Sequence, residues 1–116
     1  GNYIVSAHVD ALADPEKAKI IGDYLRLVKR GFAWSAGHQE EWAGIIAKQI
    51  GVPLDYVRDQ FQRKSAAFTL RPVTEEAITS QQRVADLFTE QKLIPRKVDV
   101  RPLWDDRYNS IIEEKV

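Results

Sequence analysis

The sequence has 116 residues, 44% hydrophobic and 29% charged, a composition typical of one ordinary domain with a polar surface. Seventeen basic residues balance seventeen acidic ones, so no net positive charge favours binding to nucleic acid or anionic lipid. There is no cysteine, which excludes disulfide bonds and thiolate metal sites, and no apolar run approaches the ~18 residues that cross a bilayer.

The first predicted elements are a short strand and a long helix. Residues 3–9 alternate loosely between apolar and polar side chains, which predicts a strand. Asp14 suits a helix N-cap and Pro15 suits the first helical position, so a helix is predicted to begin there. This helix is predicted to be the longest and to reach about Ala36, because apolar residues recur at helical spacing: Ile21, Leu25, Val28 and Phe32.

Two further helices and a second strand are predicted next. The first of these helices begins at residue 38 or 39 and ends at Ile50, because Gly51 suits a left-handed C-terminal cap. Pro53 is predicted to open the following helix. Residues 67–71 again alternate between apolar and polar side chains, which predicts a strand that Pro72 ends.

The last third of the chain predicts one long helix and two short elements. Thr74 suits an N-cap, and the helix that follows is predicted to stop before Pro95. Residues 98–100 predict a third extended piece, and Asp105 is predicted to cap a last helical turn or two. The chain is therefore expected to be mainly α with two or three short strands, which would complete a sheet in a longer protein. The absence of methionine, even at position 1, also predicts that the chain is a piece of a longer protein.

No arrangement of residues predicts catalysis or a metal site. His8 and His38 lie far apart, and neither has a second ligand at metal-binding spacing. There is no glycine-rich phosphate loop and no nucleophile elbow, and the paired carboxylates fall in predicted first helical turns, where the helix dipole explains them. The sequence therefore predicts a protein that is not an enzyme and that uses no cofactor and no metal.

Residues 42–63 offer an alternative function as a helix-turn-helix DNA-binding regulator. The spacing is close to that motif at four positions, Ala47, Gly51, Val52 and Val57, with Gly51 in the turn. Two carboxylates, Asp55 and Asp59, would face phosphate repulsion on the recognition helix. An ordinary pair of helices with a glycine turn is therefore favoured, and no nucleic-acid partner is expected.

The tryptophans and some arginines are candidates for ligand contact. Trp42 lies on the apolar stripe of its helix and is predicted to be in the core. Trp34 and Trp104 stand near the ends of predicted elements and remain candidates for stacking. Three basic residues cluster around the second predicted strand, where they could meet an anion: Arg63, Lys64 and Arg71.

The strongest resemblance to a known family lies in the fourth long helix and its exit. Residues 81–88 read QQRVADLF, and KLIP at 92–95 and VDV at 98–100 follow. This order is similar to the Gln-Gln-x-Val-Ala-Asp-x-Phe helix and Leu-Ile-Pro exit of the aliphatic-sulfonate, nitrate and taurine binding proteins of ABC importers. Weaker matches occur in the same order upstream: ADPE at 13–16, WS at 34–35, EEWA at 40–43, GVP at 51–53 and LRPVT at 70–74.

The resemblance implies the C-terminal part of a type II periplasmic binding protein, an α/β fold in which two lobes close over a solute. Residues 3–9 are similar to a hinge strand, residues 14–94 would supply lobe helices, and residues 95–116 would form the tail. The implied function is non-catalytic binding of a small anion such as an alkanesulfonate, taurine or nitrate. The implied partner is the membrane permease of the importer, and the implied location is periplasmic or extracytoplasmic, either free or lipid-anchored.

Four residues are candidates for ligand contact under this resemblance. Asn2 and Tyr3 would lie near the hinge, and Arg63 and Arg71 would lie near the second strand. Most ligand contacts would come from the remainder of a longer protein. The chain alone is therefore expected to bind solute poorly and to self-associate through the unpaired edges of its strands.

Overall fold

The computed structural model describes residues 4–63 and 68–116, and the chain divides into two compact units. Unit 1 comprises Gly1–Leu70 with Lys115–Val116, and unit 2 comprises Arg71–Glu114. The helices of unit 1 are α1 (Val9–Ala13), α2 (Pro15–Gly37), α3 (Gln39–Ile50) and α4 (Leu54–Gln62). Those of unit 2 are α5 (Glu75–Glu90), a 3₁₀ turn (Arg101–Leu103) and α6 (Asn109–Glu113).

The start of α2 follows directly from two residues. Asp14 caps the helix, because its Oδ1 accepts hydrogen bonds from the backbone N–H groups of Glu16 at 3.0 Å and Lys17 at 3.3 Å. Pro15 occupies the first helical position, where its missing N–H costs nothing. The helix has 23 residues and is the longest that the structure describes, which confirms that part of the prediction.

The core of unit 1 lies between α3 and α4. Gly51 ends α3 with φ 70° and ψ 36°, the left-handed conformation that favours glycine, and turns the chain into α4. Ala43, Ala47 and Val57 are 1%, 8% and 2% exposed, and burial of a side chain such as Val57 stabilises a fold by about 1.5 kcal/mol or more. Half-buried residues surround this cluster: Ile46, Val52, Leu54 and Phe61.

The prediction of an α/β fold with two or three short strands is wrong. The structure is 67% helical, and the part of the chain that it describes contains no strand. Residues 4–8 have no regular structure, and the chain enters α1 at Val9, where the His8 side chain accepts a hydrogen bond from the Asp10 N–H. Of the second predicted strand, Ala67 lies outside the described residues, and residues 68–71 are irregular, as are residues 98–100.

The physical reason is that alternation of apolar and polar residues makes a strand only where a neighbouring strand supplies hydrogen bonds. In unit 2, side chains supply them instead. Gln82 bonds the backbone of Val98 and Val100, and Asn109 bonds the backbone of Val73. The backbone of these segments is irregular, and the side-chain bonds hold it in place without a sheet.

Unit 2 is built on α5. Thr74 caps this helix, because its Oγ1 accepts a hydrogen bond from the Ala77 N–H at 3.2 Å, as its position in the sequence predicted. Ile78 on α5 is 8% exposed, and Val100, which directly precedes the 3₁₀ turn in the tail, is 4% exposed. The burial of these two residues places the tail as part of the unit rather than as a loose end.

Candidate functional site

The four predicted ligand contacts remain a prediction. Asn2 and Tyr3 lie outside the described residues. Arg63 caps the end of α4 within unit 1, and its Nε donates a hydrogen bond to Asp59 Oδ2 at 2.8 Å. Arg71 is exposed at the start of unit 2. Arg63 therefore already has an anionic partner, which a solute anion would have to displace.

An aromatic cluster marks the junction of α2 and α3. The His38 ring stacks on Trp34 with centroids 4.7 Å apart and planes at 8°, and its Nδ1 lies 2.8 Å from the Trp34 carbonyl oxygen. Trp42 meets Trp34 edge to face at 6.5 Å. Trp42 is 36% exposed, so the prediction that it is a core residue is wrong. The three rings form a surface cluster that fixes the corner between the two helices.

The helices α3 and α4 pack together across the turn at Gly51, and carboxylates neutralise an arginine on their outer surface. Arg58 on α4 is bound by Glu40 of α3, whose carboxylate accepts from both Nε and Nη2, and by Asp55 at 2.9 Å. The hydrogen bond from Arg58 lowers the pKa of Glu40, and the same contact raises the pKa of the guanidinium. Arg58 is thus occupied by two carboxylates and is poorly placed to meet a DNA phosphate.

Unit 2 contains an open cleft of about 330 Å³ at the start of α5, lined by Val73, Thr74, Glu75, Ile78, Arg101, Trp104 and Asp106. Its one guanidinium is already paired, because Arg101 makes a two-pronged contact with Glu75 at 2.8 and 2.7 Å. The contact lowers the pKa of Glu75 and raises that of Arg101. With Asp106 also on the wall, the cleft carries two carboxylates and does not favour a sulfonate or nitrate.

The motif that carries the family resemblance has a structural task in unit 2. Gln81 Oε1 accepts a hydrogen bond from Trp104 Nε1 at 2.6 Å. Gln82 Nε2 donates to the carbonyl oxygen of Val98 at 2.8 Å, and Gln82 Oε1 accepts from the N–H of Val100 at 3.0 Å. The two glutamines therefore hold the tail against α5. The Gln82 amide bonds the backbone at Val98 and Val100 in the way that a neighbouring strand would.

A second side-chain clamp holds the entrance of α5. Asn109 at the start of α6 accepts from the Val73 N–H at 2.8 Å and donates to the Val73 carbonyl at 2.9 Å. Nearby, Asp105 accepts from the backbone N–H of Arg107 and from its guanidinium, and these bonds lower the pKa of Asp105. Sequence reasoning missed both clamps, because bonds that span 16 to 23 residues in the glutamine clamp and 36 residues in the Asn109 clamp leave no local pattern.

The described residues contain no clustered metal ligands and no buried side-chain nitrogen or oxygen without a partner. Among them no group of three or more histidine and carboxylate side chains is placed to hold a metal ion. Every buried side-chain nitrogen and oxygen within residues 4–63 and 68–116 has a hydrogen-bond partner, so no orphaned polar atom marks a reactive site. None of the helices described is long and apolar enough to span a bilayer.

Comparison with known proteins gives a partial relative. Over 73 residues the chain is 33% identical to a protein of Escherichia coli (strain K12) named "Putative aliphatic sulfonates-binding protein". The match covers 62% of this chain and only 23% of that relative. No protein-family model matches the chain, and no solved structure matches it. The match shows a distant relationship to a protein whose name describes binding rather than catalysis.

Proposed function

We propose that this chain is the C-terminal part of an extracytoplasmic solute-binding component of an ABC importer for aliphatic sulfonates or related small anions. The observation that carries the proposal is the 33% identity over 73 residues to the sulfonates-binding protein of Escherichia coli. The binding would be non-catalytic and would use neither cofactor nor metal. The partners would be an alkanesulfonate, taurine or a nitrate-like anion and the membrane permease, and the location would be periplasmic.

The contacts within the chain favour a structural role in a binding lobe over a complete binding site. The guanidinium groups of Arg63 and Arg101 each donate a hydrogen bond to a carboxylate at 2.8 Å, so neither is free for a solute anion. A solute site needs buried polar groups from several sides to replace the water of a charged ligand. We therefore expect most solute contacts to come from other parts of a longer protein. The helices of this chain would form part of the lobe that surrounds those contacts.

The DNA-binding alternative has one observation in its favour, the turn at Gly51 between α3 and α4. The charge on α4 opposes it. Three carboxylates, Glu40, Asp55 and Asp59, lie on this helix pair within hydrogen-bond distance of Arg58 or Arg63, and the chain has no net charge to offset them. We therefore rank solute binding above DNA binding.

Titration calorimetry on the full-length natural protein that contains this chain tests the proposal. Ethanesulfonate, taurine and nitrate are titrated in parallel, and an uncharged alcohol of matched chain length is the control. We expect saturable heat with at least one of the anions, none with the alcohol, and no conversion of the bound compound on recovery. A mobility shift that titrates with DNA and weakens with salt, in a protein giving no heat with any of the anions, would instead establish the regulator.

A further inference from the structure

The cleft at the start of α5 has walls that combine aliphatic side chains with one aromatic ring. Ile78, which is 8% exposed, lines it together with Val73 and Trp104. The Trp104 indole N–H already donates to Gln81 Oε1 at 2.6 Å, so the ring offers the cleft carbon atoms and no free donor. Walls of this kind suit a ligand with an apolar body.

The uncharged polar groups on the walls already make hydrogen bonds within unit 2. The N–H and the carbonyl oxygen of Val73 both bond the Asn109 side chain. Thr74 Oγ1 accepts a hydrogen bond from the N–H of Ala77. The charged side chains are therefore left to decide which ligand the cleft selects.

Three charged side chains line the cleft, and one of them has no opposite charge beside it. Arg101 and Glu75 form their two-pronged ion pair at 2.8 and 2.7 Å, so each neutralises the other. In the part of the chain that the structure describes, the Asp106 carboxylate has neither a hydrogen bond nor an ion pair, whereas the adjacent Asp105 is paired with Arg107. One guanidinium against two carboxylates leaves the walls with a charge of −1, located at Asp106.

The size and the charge of the cleft together define the ligand. Its volume of about 330 Å³ is near the lower end of the range for ligand pockets, roughly 300–1,000 Å³, so it suits a chain of a few carbon atoms. A positive charge on such a chain is attracted both by a carboxylate and by the face of an indole ring. An anion would be repelled by Asp106.

We propose that this cleft binds a primary alkylammonium group, with the carbon chain against Ile78 and Trp104 and the ammonium at Asp106. The group is supplied either by a free amine or by a lysine side chain of another protein. The cleft is open and Asp106 is exposed, so we expect a dissociation constant on the order of 1–10 mM. This binding does not depend on the proposed transport function, which concerns an anion.

An NMR titration of the full-length natural protein, labelled with ¹⁵N at the tryptophan indoles, is the first measurement. The Trp104 resonance is assigned from its loss in Trp104→Phe. We expect n-butylammonium to move this resonance saturably, and n-butanol and butyrate, which have the same chain length, to leave it in place. The resonances of Trp34 and Trp42, which belong to unit 1, should stay fixed.

A second probe, N-acetyl-lysine N-methylamide, distinguishes the two sources of the ammonium group. If it binds at least as tightly as n-butylammonium, the natural ligand is a lysine side chain of a partner. If n-butylammonium alone moves the Trp104 resonance, the natural ligand is a free amine.

Two asparagine variants test the role of Asp106 at about 0.15 M salt, where charges outside the cleft are screened. Asp106→Asn keeps the size of the side chain and removes its charge, so it should raise the dissociation constant about threefold to fivefold. Asp99→Asn is the matched control, because it removes a carboxylate from the same tail outside the cleft and keeps an oxygen for the Arg101 N–H. It should leave the constant unchanged.

Three results would overturn the proposal. The first is a Trp104 resonance that neither amine moves. The second is an equal loss of affinity in Asp106→Asn and Asp99→Asn. The third is a response to n-butanol as large as the response to n-butylammonium, since the charge at Asp106 would then play no part.

Discussion

The replacement of Gln82 by alanine should loosen the tail of unit 2 without unfolding unit 1. The Gln82 amide makes three hydrogen bonds, to the Val98 carbonyl at 2.8 Å, from the Val100 N–H at 3.0 Å and to Asp86 Oδ1 at 2.9 Å. Val100 is buried at 4% exposure, so its N–H would lose its partner where water has little access. Alanine removes all three bonds and leaves the helix backbone unchanged.

The expected loss follows from these contacts. An unsatisfied buried N–H costs about 1–3 kcal/mol, and the bond to the exposed Val98 carbonyl contributes about 0.5–1 kcal/mol. Alanine stabilises the helix by a few tenths of a kcal/mol through its higher helix propensity, so the tail loses about 2 kcal/mol of stability in total. Since about 1.4 kcal/mol is a factor of ten, the opening equilibrium of the tail should rise roughly 30-fold.

Amide hydrogen exchange at Val100 measures this opening directly. The matched control is Gln60→Ala, at an exposed glutamine on α4, which should leave Val100 exchange unchanged. Gln82→Glu is a sharper probe, because it keeps the acceptor for Val100 but puts a carboxylate beside Asp86 and opposite the Val98 carbonyl. If the Val100 amide exchanges at the same rate in Gln82→Ala as in the natural chain, the Gln82 bonds do not hold this segment closed.

The remaining predictions concern two glycines, one ion pair and one asparagine. Gly31 lies inside α2 with open space beside it, so Gly31→Ala should raise the free energy of unfolding by about 0.5–1 kcal/mol in thermal denaturation. Gly51 has φ 70°, so Gly51→Ala should lower the free energy of unfolding by about 1 kcal/mol. Arg101 lowers the pKa of Glu75 below its usual 4.5, so this pair stabilises unit 2 above that pH and its contribution is lost as the pH falls through the lowered value; the stability difference from Glu75→Gln should vanish in urea titrations at low pH. Asn109→Ala should destabilise unit 2 by about 1–3 kcal/mol in urea, because the Val73 N–H loses its acceptor, and an unchanged midpoint would contradict that role.

The helices could be predicted from the sequence because their signals are local. Asp14 and Pro15 mark the start of α2, Gly51 marks the end of α3, and Thr74 marks the start of α5. Each of these residues acts through its own side chain or backbone within a few positions, so no knowledge of the rest of the fold is needed.

The strands were wrongly predicted because their signal is not local. An alternating segment needs a partner, and in residues 98–100 the partner is the Gln82 side chain rather than a strand. The same holds for the candidate site. Arg101 and Glu75 are 26 residues apart, so nothing local in the sequence predicts that they pair. Asp59 lies four residues before Arg63, so that pair follows from helical spacing once α4 is predicted. The resemblance drew attention to Gln81 and Gln82 but did not predict the hydrogen bonds that they make.

Calorimetric titration of an alkanesulfonate into the full-length natural protein is the decisive test of solute binding. We expect saturable heat with a sulfonate and no heat with the matched alcohol. We also expect little or no heat from the 116-residue chain alone, since Arg63 and Arg101 are already paired with carboxylates. A full-length protein that gives no heat with sulfonate, taurine or nitrate would contradict the proposed function.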